Sequence, residues 1–372
     1  MICMIVAVLL SAAIPPAVAD EEPLQSLFAD DPGSAPVPLA VAARSAEMPV
    51  VPRPTSAGAA AWTSRVVAGA EYLLLRPSFS NSTALYSNTR SGGTTSELDA
   101  ENFSQGYSSG VRAFLGWRLS EDSLLRFSYF DLAGSDTVTG VASGDWPGGN
   151  GTAFIGPYNI EAITDGESIQ SRIGTVVRLY DLELAARLHG RTTENAQPLW
   201  ETAGGVGLRF ADTSVATDVV NTRLVPGASD VLVSTERNFR GVGPRLAYQA
   251  RRFIGSGRVS FFATGAASLI IGDYENLDSR SLQSPTQPAD ESQQVGGPLL
   301  VPNADFSIGG SWQMTPRTTF SAGWLLLYFG ELGYSEVINT EATPPGSLAT
   351  SVGLANSSLF LDGAFFRLTH SF

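Results

Sequence analysis

The chain has 372 residues, of which 43% are hydrophobic and 16% are charged, and its formal net charge is −13. This acidic balance excludes a nucleic-acid partner, because proteins that bind nucleic acids present a basic face. The longest internal apolar run, at residues 324–329, is far shorter than the roughly 20 residues that a membrane-spanning helix needs. Composition therefore excludes a helical membrane protein as well.

The first 64 residues predict two segments that precede the folded domain. Residues 1–19 combine an apolar stretch with the cleavage pattern Ala17-Val18-Ala19, which is typical of a signal peptide for export. Residues 20–64 contain seven prolines among small residues and predict a flexible periplasmic leader. The one cysteine, Cys3, lies in the signal peptide. The mature chain is thus expected to have no disulfide and no thiolate nucleophile or metal ligand.

Residues 65–372 alternate between apolar and polar positions. In residues 110–120 the odd positions are apolar, whereas the even positions include arginine, glycine and serine. The same period of two recurs in residues 200–210 and 241–252. Successive side chains of a β-strand point to opposite faces, and a tilted strand crosses a membrane in about 9 to 11 residues. The alternation therefore predicts strands that cross a membrane.

Ten such segments predict an all-β fold, a transmembrane antiparallel up-and-down β-barrel. An even number of strands places both ends of the barrel on the same side of the membrane. Twelve strands are the second choice, because residues 217–224 could pair with residues 230–235, and a further strand could form near residues 154–163. The ten segments are 66–76, 110–120, 124–132, 169–188, 200–210, 241–252, 258–272, 305–314, 319–329 and 359–372.

Two of these segments are irregular. The apolar positions of residues 169–188 are odd up to Leu179 and even from Tyr180 onward, a change of face that a β-bulge would produce. Pro244 interrupts another segment, and proline cannot donate a hydrogen bond to a strand ladder. We therefore expect a local bulge at each place.

The connections between the segments alternate in length, with short links followed by long ones. The five long links, at residues 80–107, 135–167, 211–238, 273–302 and 330–356, contain 20 acidic and 4 basic residues. Short periplasmic turns and long outer loops are typical of outer-membrane barrels; a soluble β-sandwich, the alternative, has no reason for this alternation. A girdle of aromatic residues is expected beside the periplasmic interface. Its members are Trp117, Trp200, Phe261, Trp312, Phe320 and Phe372.

The residue pattern predicts neither an enzyme nor a metal or cofactor site. The two histidines, His189 and His370, lie at a predicted turn and at the chain end, where they could not serve an active site at the outer rim. Glu71, Asp181 and other acidic strand residues are interpreted as ion-pair partners inside the barrel rather than as catalytic acids.

Charged residues on the polar strand face are expected to line the lumen. All 23 basic residues are arginine, which forms bidentate pairs with carboxylates in confined places. An open pore is favoured over a plug closed by salt bridges, because Gly205, Gly207, Gly243, Gly309 and Gly323 would leave parts of the inner wall bare. The predicted lining consists of Arg112, Arg118, Arg126, Arg209, Arg245, Arg251 and Arg367 with Glu71, Glu183, Glu201 and Asp305.

The chain end predicts an assembly signal. Phe372 is the last residue, and Phe366 and Leu368 share its apolar face. The expected partners are the barrel-assembly machinery, outer-membrane lipid and lipopolysaccharide, and small hydrophilic solutes. A homo-oligomer is left open, since no surface patch identifies an interface.

Several short stretches resemble the Legionella-type major outer-membrane protein family, whose members are pore-forming barrels. The stretches are EYLLLRP at residues 71–77, the hairpin at residues 110–132, YDLE at residues 180–183, GVGPRL at residues 241–246 and LDGAFFRL at residues 361–368. The resemblance implies a porin in the outer membrane that passes small solutes by diffusion. The mature chain lacks the cysteines of cysteine-linked family members, so the resemblance does not extend to a disulfide-bonded envelope.

Two functions from different classes follow from these patterns. The first is a diffusion pore for small hydrophilic solutes or ions. The second is a non-conducting structural or surface-interaction barrel, whose acidic outer loops would bind divalent cations, lipopolysaccharide or another cell.

Overall fold

The computed structural model of the protein describes most of residues 65–372 as β-strands. The described ranges are 65–80, 83–91, 94–145, 150–156, 160–162, 165–192, 198–222, 230–255, 257–283, 289–332, 334–343 and 347–372. The predicted signal peptide (1–19) and leader (20–64) lie outside these ranges. Within the ranges, no helix has the length and apolar character required to cross a membrane.

Ten antiparallel strands form one closed ring, in which each strand pairs with its neighbours along the chain and the first pairs with the last. The predicted all-β, up-and-down barrel of ten strands is confirmed. The twelve-strand alternative is wrong, because residues 217–222 and 230–235 pair within two ring strands rather than as additional ones, and the strands at residues 150–156 and 160–162 belong to a separate sheet. The ring consists of β1 (Val66–Phe79), β2 (Ser108–Arg118), β3 (Ser123–Val141), β4 (Ser168–Thr192), β5 (Pro198–Thr222), β6 (Asp230–Ile254), β7 (Val259–Gln283), β8 (Ala289–Gln313), β9 (Thr318–Phe329) and β10 (Leu359–Ser371).

The strands β4 to β8 are much longer than a membrane requires. Each has 25 residues, which corresponds to about 80 Å of extended chain. The segments 211–238 and 273–302 were predicted to be long loops, but their described parts, residues 211–222, 230–238, 273–283 and 289–302, continue the β5–β6 and β7–β8 hairpins, with Thr217 opposite Thr235. The alternation of residue types continues there, since Val215 and Val219 point inward and are buried. These hairpins therefore extend the barrel wall well beyond the apolar belt.

The ring has two different ends, which we call the turn end and the hairpin end. The turn end carries the short connections β2–β3, β4–β5, β6–β7 and β8–β9, together with the start of β1 and the finish of β10. In the β6–β7 turn, Gly255 and Gly257 have φ angles of 58° and 80°, a left-handed conformation that glycine adopts without steric cost. The hairpin end carries the long connections.

The outer face of the ring is apolar over a belt adjoining the turn end. Val206, Leu208, Val242, Leu246 and Ile271 are all about half exposed or more there. The six aromatic residues predicted to form a girdle are likewise exposed on the outer face close to the turn end. Large apolar side chains without a protein partner over a closed surface are typical of a barrel solvated by lipid.

Neither predicted bulge is present. The β3–β4 register is continuous where Phe130 faces Leu179 and Tyr129 faces Tyr180. The apolar residues of β4 change face because the lumen itself is apolar towards the hairpin end, so that Leu179 is buried inside while Leu182 is exposed outside. At Pro244 the β6–β7 ladder is interrupted, yet the same register holds on both sides of the gap.

The lumen on the hairpin side is filled by an apolar layer. Along four strands, the next inward residue beyond a polar one is apolar: Leu73 follows Glu71, Leu179 follows Asp181, Ala211 follows Arg209, and Val301 follows Asn303. These residues belong to one buried cluster, whose members come from strands all around the ring. The layer comprises Leu73, Leu75, Phe130, Leu132, Val177, Leu179, Ala211, Phe239, Phe262, Ile270, Tyr274, Val301, Leu325, Leu327, Phe329, Leu332, Leu359, Leu361 and Phe365.

Two smaller sheets lie in the described parts of the long connections. Thr83–Ser91, Thr94–Asn102, Ser143–Asp145, Asn150–Gly156 and Ile160–Ala162 form one, and Tyr334–Thr343 pairs with Ser347–Asn356 in the other. Thus the strand predicted near residues 154–163 exists outside the ring.

The first of these sheets packs onto the hairpin end of the barrel. Leu85 is fully buried in a second apolar cluster that includes Ile169 of β4, Val219 of β5 and Val233 of β6. Ser171 Oγ of β4 donates a hydrogen bond of 2.9 Å to the carbonyl oxygen of Ala84. The connection after β1 therefore covers lumen-facing residues near this opening.

Replacing Leu246 by arginine should destabilise the barrel far more than replacing Gln249. Leu246 is 64% exposed on the apolar belt, where an arginine costs roughly 2 to 4 kcal/mol near the middle of a bilayer. Gln249 lies on the same strand but lines a polar cavity in the lumen. Urea unfolding in lipid vesicles measures both variants; equal losses, or a larger loss for Gln249→Arg, would contradict the assignment of faces.

Candidate functional site

A layer of buried charges crosses the lumen beneath the apolar layer. Its centre is Arg209 of β5, which is 1% exposed. The Arg209 Nε and Nη2 atoms donate to the two carboxylate oxygens of Asp181 on β4, at 2.6 and 2.8 Å. Nη2 also lies 2.8 Å from Asp305 Oδ2 of β8. Because β8 is three strands away from β5 in the ring, this guanidinium joins parts of the wall that are not adjacent.

A second arginine extends the network. Arg245 of β6 lies 2.7 Å from Asp305 and 3.5 Å from Glu183. Glu183 in turn accepts hydrogen bonds of 3.0 and 3.1 Å from Arg126 Nη2 of β3. Arg245 and Glu183 are about 5% exposed. Because these charges are shielded from water, leaving either one without its ion-pair partner would be costly.

A separate group of charges centres on Glu71 of β1. Its carboxylate is 4% exposed and accepts from Arg367 Nε of β10 at 2.5 Å and from Arg112 Nη1 of β2 at 3.4 Å. The ring closure between β1 and β10 places Glu71 directly opposite Arg367, and the β1–β2 register places it opposite Arg112. One carboxylate thus serves two guanidiniums.

A polar cavity of about 600 Å³ occupies the lumen between the buried charges and the turn end. All eleven charged residues predicted to line the lumen contribute to its wall. They are Glu71, Arg112, Arg118, Arg126, Glu183, Glu201, Arg209, Arg245, Arg251, Asp305 and Arg367. The structure therefore places these residues together, while a role of any of them in conduction stays a prediction.

The glycines that were expected to keep the lumen open do not do so. A Cβ atom added to Gly243 would lie 1.9 Å from the carbonyl oxygen of Leu269, and one added to Gly323 would lie 2.1 Å from that of Ile308. At Gly205 the space is taken by the carboxylate of Glu183. The bare positions let neighbouring strands and side chains approach closely rather than widening a passage.

Sequence reasoning missed the groups that hold the charged layer in place. Asn303 of β8 accepts from Arg209 Nη1 and donates from Nδ2 to the carbonyl oxygen of Tyr328 at 2.7 Å. Asn303 had given no signal, since one amide in an alternating segment is unremarkable. Asp181 was expected to form ion pairs but was not assigned to the lining, although it contacts both Arg209 and Arg245.

The groups considered for catalysis do not meet in the described residues. His370 Nδ1 lies 3.0 Å from Thr318 Oγ1 at the turn end, and the side chain of His189 lies outside the described part of the chain. In that part, no three His, Cys, Asp or Glu side chains are arranged as metal ligands. That the protein is not an enzyme stays a prediction.

The residues of the predicted assembly signal share the outer face of β10. Phe366, Leu368 and Phe372 are 43%, 51% and 62% exposed. The Phe372 backbone N–H donates to the carbonyl oxygen of Val66 at 2.9 Å, so the last residue is held against the start of β1 at the ring closure.

Comparison with known proteins relates residues 59–372 to the family described as Legionella pneumophila major outer membrane protein precursor. No curated protein sequence matches the chain. Among solved structures, the outer membrane protease OmpT from Escherichia coli aligns at 8% identity with a TM-score of 0.43, over 83% of this chain and 97% of the protease. The Pseudomonas putida toluene transporter TodX aligns at 9% identity with a TM-score of 0.19, over 85% and 94% of the two chains.

Replacing Arg209 by leucine should destabilise the barrel strongly. The change leaves the carboxylates of Asp181 and Asp305 buried with less compensation, and removing one partner of a buried ion pair costs about 3 to 5 kcal/mol. The matched control is Arg240→Leu, since Arg240 pairs with Asp212 at 3.0 Å but its side chain is 74% exposed. Exposed pairs contribute about 0 to 1 kcal/mol. The free energy of unfolding is measured for both variants in detergent. Similar values would contradict the burial of the charged layer.

Proposed function

This chain belongs to the Legionella pneumophila major outer membrane protein family and is a β-barrel of the outer membrane, and we propose that it acts there as a non-conducting structural and surface-interaction barrel. The proposal takes the second of the two functions that the sequence left open.

The observation that carries this proposal is the apolar layer across the lumen. Leu73 of β1, Val177 of β4, Ile270 of β7 and Leu327 of β9 come from different parts of the ring, and each has no exposed surface. A water-filled passage at this level would expose side chains that face it. A hydrated ion would also have to lose its water among alkyl groups, which is costly without compensating polar partners.

The charged layer below supports the same conclusion. Arg209 is held by Asp181 and Asp305 at once, so that moving this side chain out of the path would break several charge-assisted hydrogen bonds. Side chains can fill the lumen of a barrel of about eight strands, and long side chains such as that of Arg209 reach across the somewhat wider ring of ten. The apolar layer and the charged layer therefore block the lumen at two successive levels.

The hairpin end supports a role in surface interaction. The β7–β8 hairpin extends beyond the apolar belt, and residues 292–298 are exposed along their whole length. Its other exposed residues include Asp273 and Glu275. An acidic outer surface attracts divalent cations, which bridge carboxylates to the phosphates of lipopolysaccharide. We therefore propose lipopolysaccharide, outer-membrane lipid and divalent cations as partners at this end.

A diffusion pore remains the second candidate, because one observation favours it. The polar cavity of about 600 Å³ already occupies the turn side of the lumen, so only the apolar layer and the charged layer would have to move for solutes to pass. Small hydrophilic solutes would then diffuse through the pore.

In planar bilayers, the purified refolded protein should give no steady single-channel conductance. The double variant Leu73→Ser with Leu327→Ser should conduct at least in bursts, since hydroxyl groups admit water to the apolar layer. The matched control is Leu246→Ser with Leu326→Ser, on the exposed outer face, and should remain silent. Steady conductance of the unmodified protein would contradict the proposal and support the pore.

Deleting Phe372 should lower the amount of barrel that reaches the outer membrane. The exposed terminal aromatic side chain is proposed as the feature that the barrel-assembly machinery binds. Phe372→Tyr keeps the aromatic ring and should assemble normally. Outer-membrane fractions compared by immunoblotting measure the effect, and normal levels of the truncated chain would refute this role.

A further inference from the structure

The cavity at the turn end has the dimensions of a small-molecule site. Its volume is about 600 Å³, within the roughly 300 to 1,000 Å³ that ligand pockets occupy. Leu325 and the Arg209 network lie at its inner end, and Gly257 and Gln313, beside two turns, line its mouth. A solute from the turn side could therefore enter without crossing the apolar layer.

The cavity wall carries an excess of positive charge. Eight arginines and seven carboxylates line it, but two of these carboxylates, Glu121 and Asp122, are exposed residues of the β2–β3 turn. Without these two and without Arg187, an exposed residue that pairs with Asp122, seven guanidiniums face five carboxylates. The wall attracts anions, and a low-dielectric surrounding strengthens that attraction.

The arginines also retain hydrogen-bonding capacity. Arg112 and Arg367 share the single carboxylate of Glu71, while Arg126 shares that of Glu183 with Arg245, which also pairs with Asp305. Each guanidinium has five N–H donors. A carboxylate that is shared between two arginines cannot accept hydrogen bonds from all of their donors. Unused donors on neighbouring strands are consequently available to a further acceptor.

Arg251 of β6 gives the clearest indication of a missing partner. Its guanidinium lines the cavity, and its Nε atom is buried without a hydrogen-bond partner. A buried, unsatisfied donor on a charged group costs free energy, and an incoming acceptor would recover it once the guanidinium turns this donor towards the cavity. Oxygen atoms of a carboxylate or phosphate match the planar guanidinium fork.

We propose that this cavity binds a small organic anion that carries two or more carboxylate or phosphate groups. The side chains of Phe114, Leu124 and Phe253 also line the cavity and provide contacts for the carbon skeleton. A cation is disfavoured by the excess of arginines, and a neutral solute leaves the Nε donor of Arg251 without a charged acceptor.

Isothermal titration calorimetry of the refolded protein in a non-ionic detergent, at low ionic strength, tests the proposal. Citrate is the organic probe, inorganic phosphate tests the oxyanion alone, and the dication cadaverine is the charge-reversed control. Citrate should bind with one site per barrel, phosphate more weakly, and cadaverine not at all. The absence of citrate binding, or equal binding of cadaverine, would overturn the proposal.

Variants separate this site from binding to arginines elsewhere. Arg251→Gln should weaken citrate binding by about tenfold or more, the effect of losing one charge-assisted hydrogen bond, whereas Arg251→Lys, which keeps the charge but not the planar fork, should weaken it less. Arg240→Gln, on the exposed outer wall, should leave it unchanged. If Arg251→Gln does not fold, Gln249→Glu, which adds a carboxylate to the same wall, should weaken binding comparably. Unchanged affinity in the folded variant tested would refute the assignment.

This result is independent of conduction. The cavity opens on the turn side of the apolar layer, so an anion could bind in a closed barrel or in a conducting one. Binding without conductance supports both proposals, whereas conductance without binding contradicts both for separate reasons.

Discussion

The structure depends on filling the lumen of a narrow barrel with buried charged side chains that form ion pairs and hydrogen bonds with one another. Arg209 is the central contact, because it holds Asp181 of β4 and Asp305 of β8 together across the lumen. Without that guanidinium, the buried carboxylates of Asp181 and Asp305 would repel each other. The apolar layer can pack on top because Arg209, Asp181 and Asp305, the charges nearest to it, form ion pairs with one another.

The division of the lumen into an apolar half and a polar half explains the pattern of the strands. The outer face is apolar in a belt next to the turn end, whereas the inner face is apolar towards the hairpin end. On β4, Leu182 therefore faces outward and Leu179 inward, without any change of register. The charged layer lies where the two apolar regions meet, and the cavity lies on its other side.

The ten strands and the members of the charged lining could be predicted from the sequence, because a period of two assigns each side chain to a face. The period cannot tell whether an inward side chain meets solvent or a side chain from the opposite wall. That is why Leu73 and Val301 were not predicted to belong to an apolar layer that fills the lumen. It is also why Gly243 was expected to leave open space in the lumen, although the backbone of Leu269 occupies that space. The strand continuations within residues 211–238 were predicted to be loops for a different reason. Their polar residues do not form the apolar face that contacts lipid in a membrane-spanning strand.

Accessibility of the two halves of the lumen tests the account most directly. Residues 65–372 contain no cysteine, so single cysteines can be introduced by Gln249→Cys in the cavity and by Leu327→Cys in the apolar layer. The refolded variants are then treated with a charged, membrane-impermeant thiol reagent. The account predicts rapid modification of the cavity cysteine and protection of the apolar-layer cysteine until the barrel is unfolded. Comparable rates at the two positions would show that water passes through the lumen and would contradict a closed barrel.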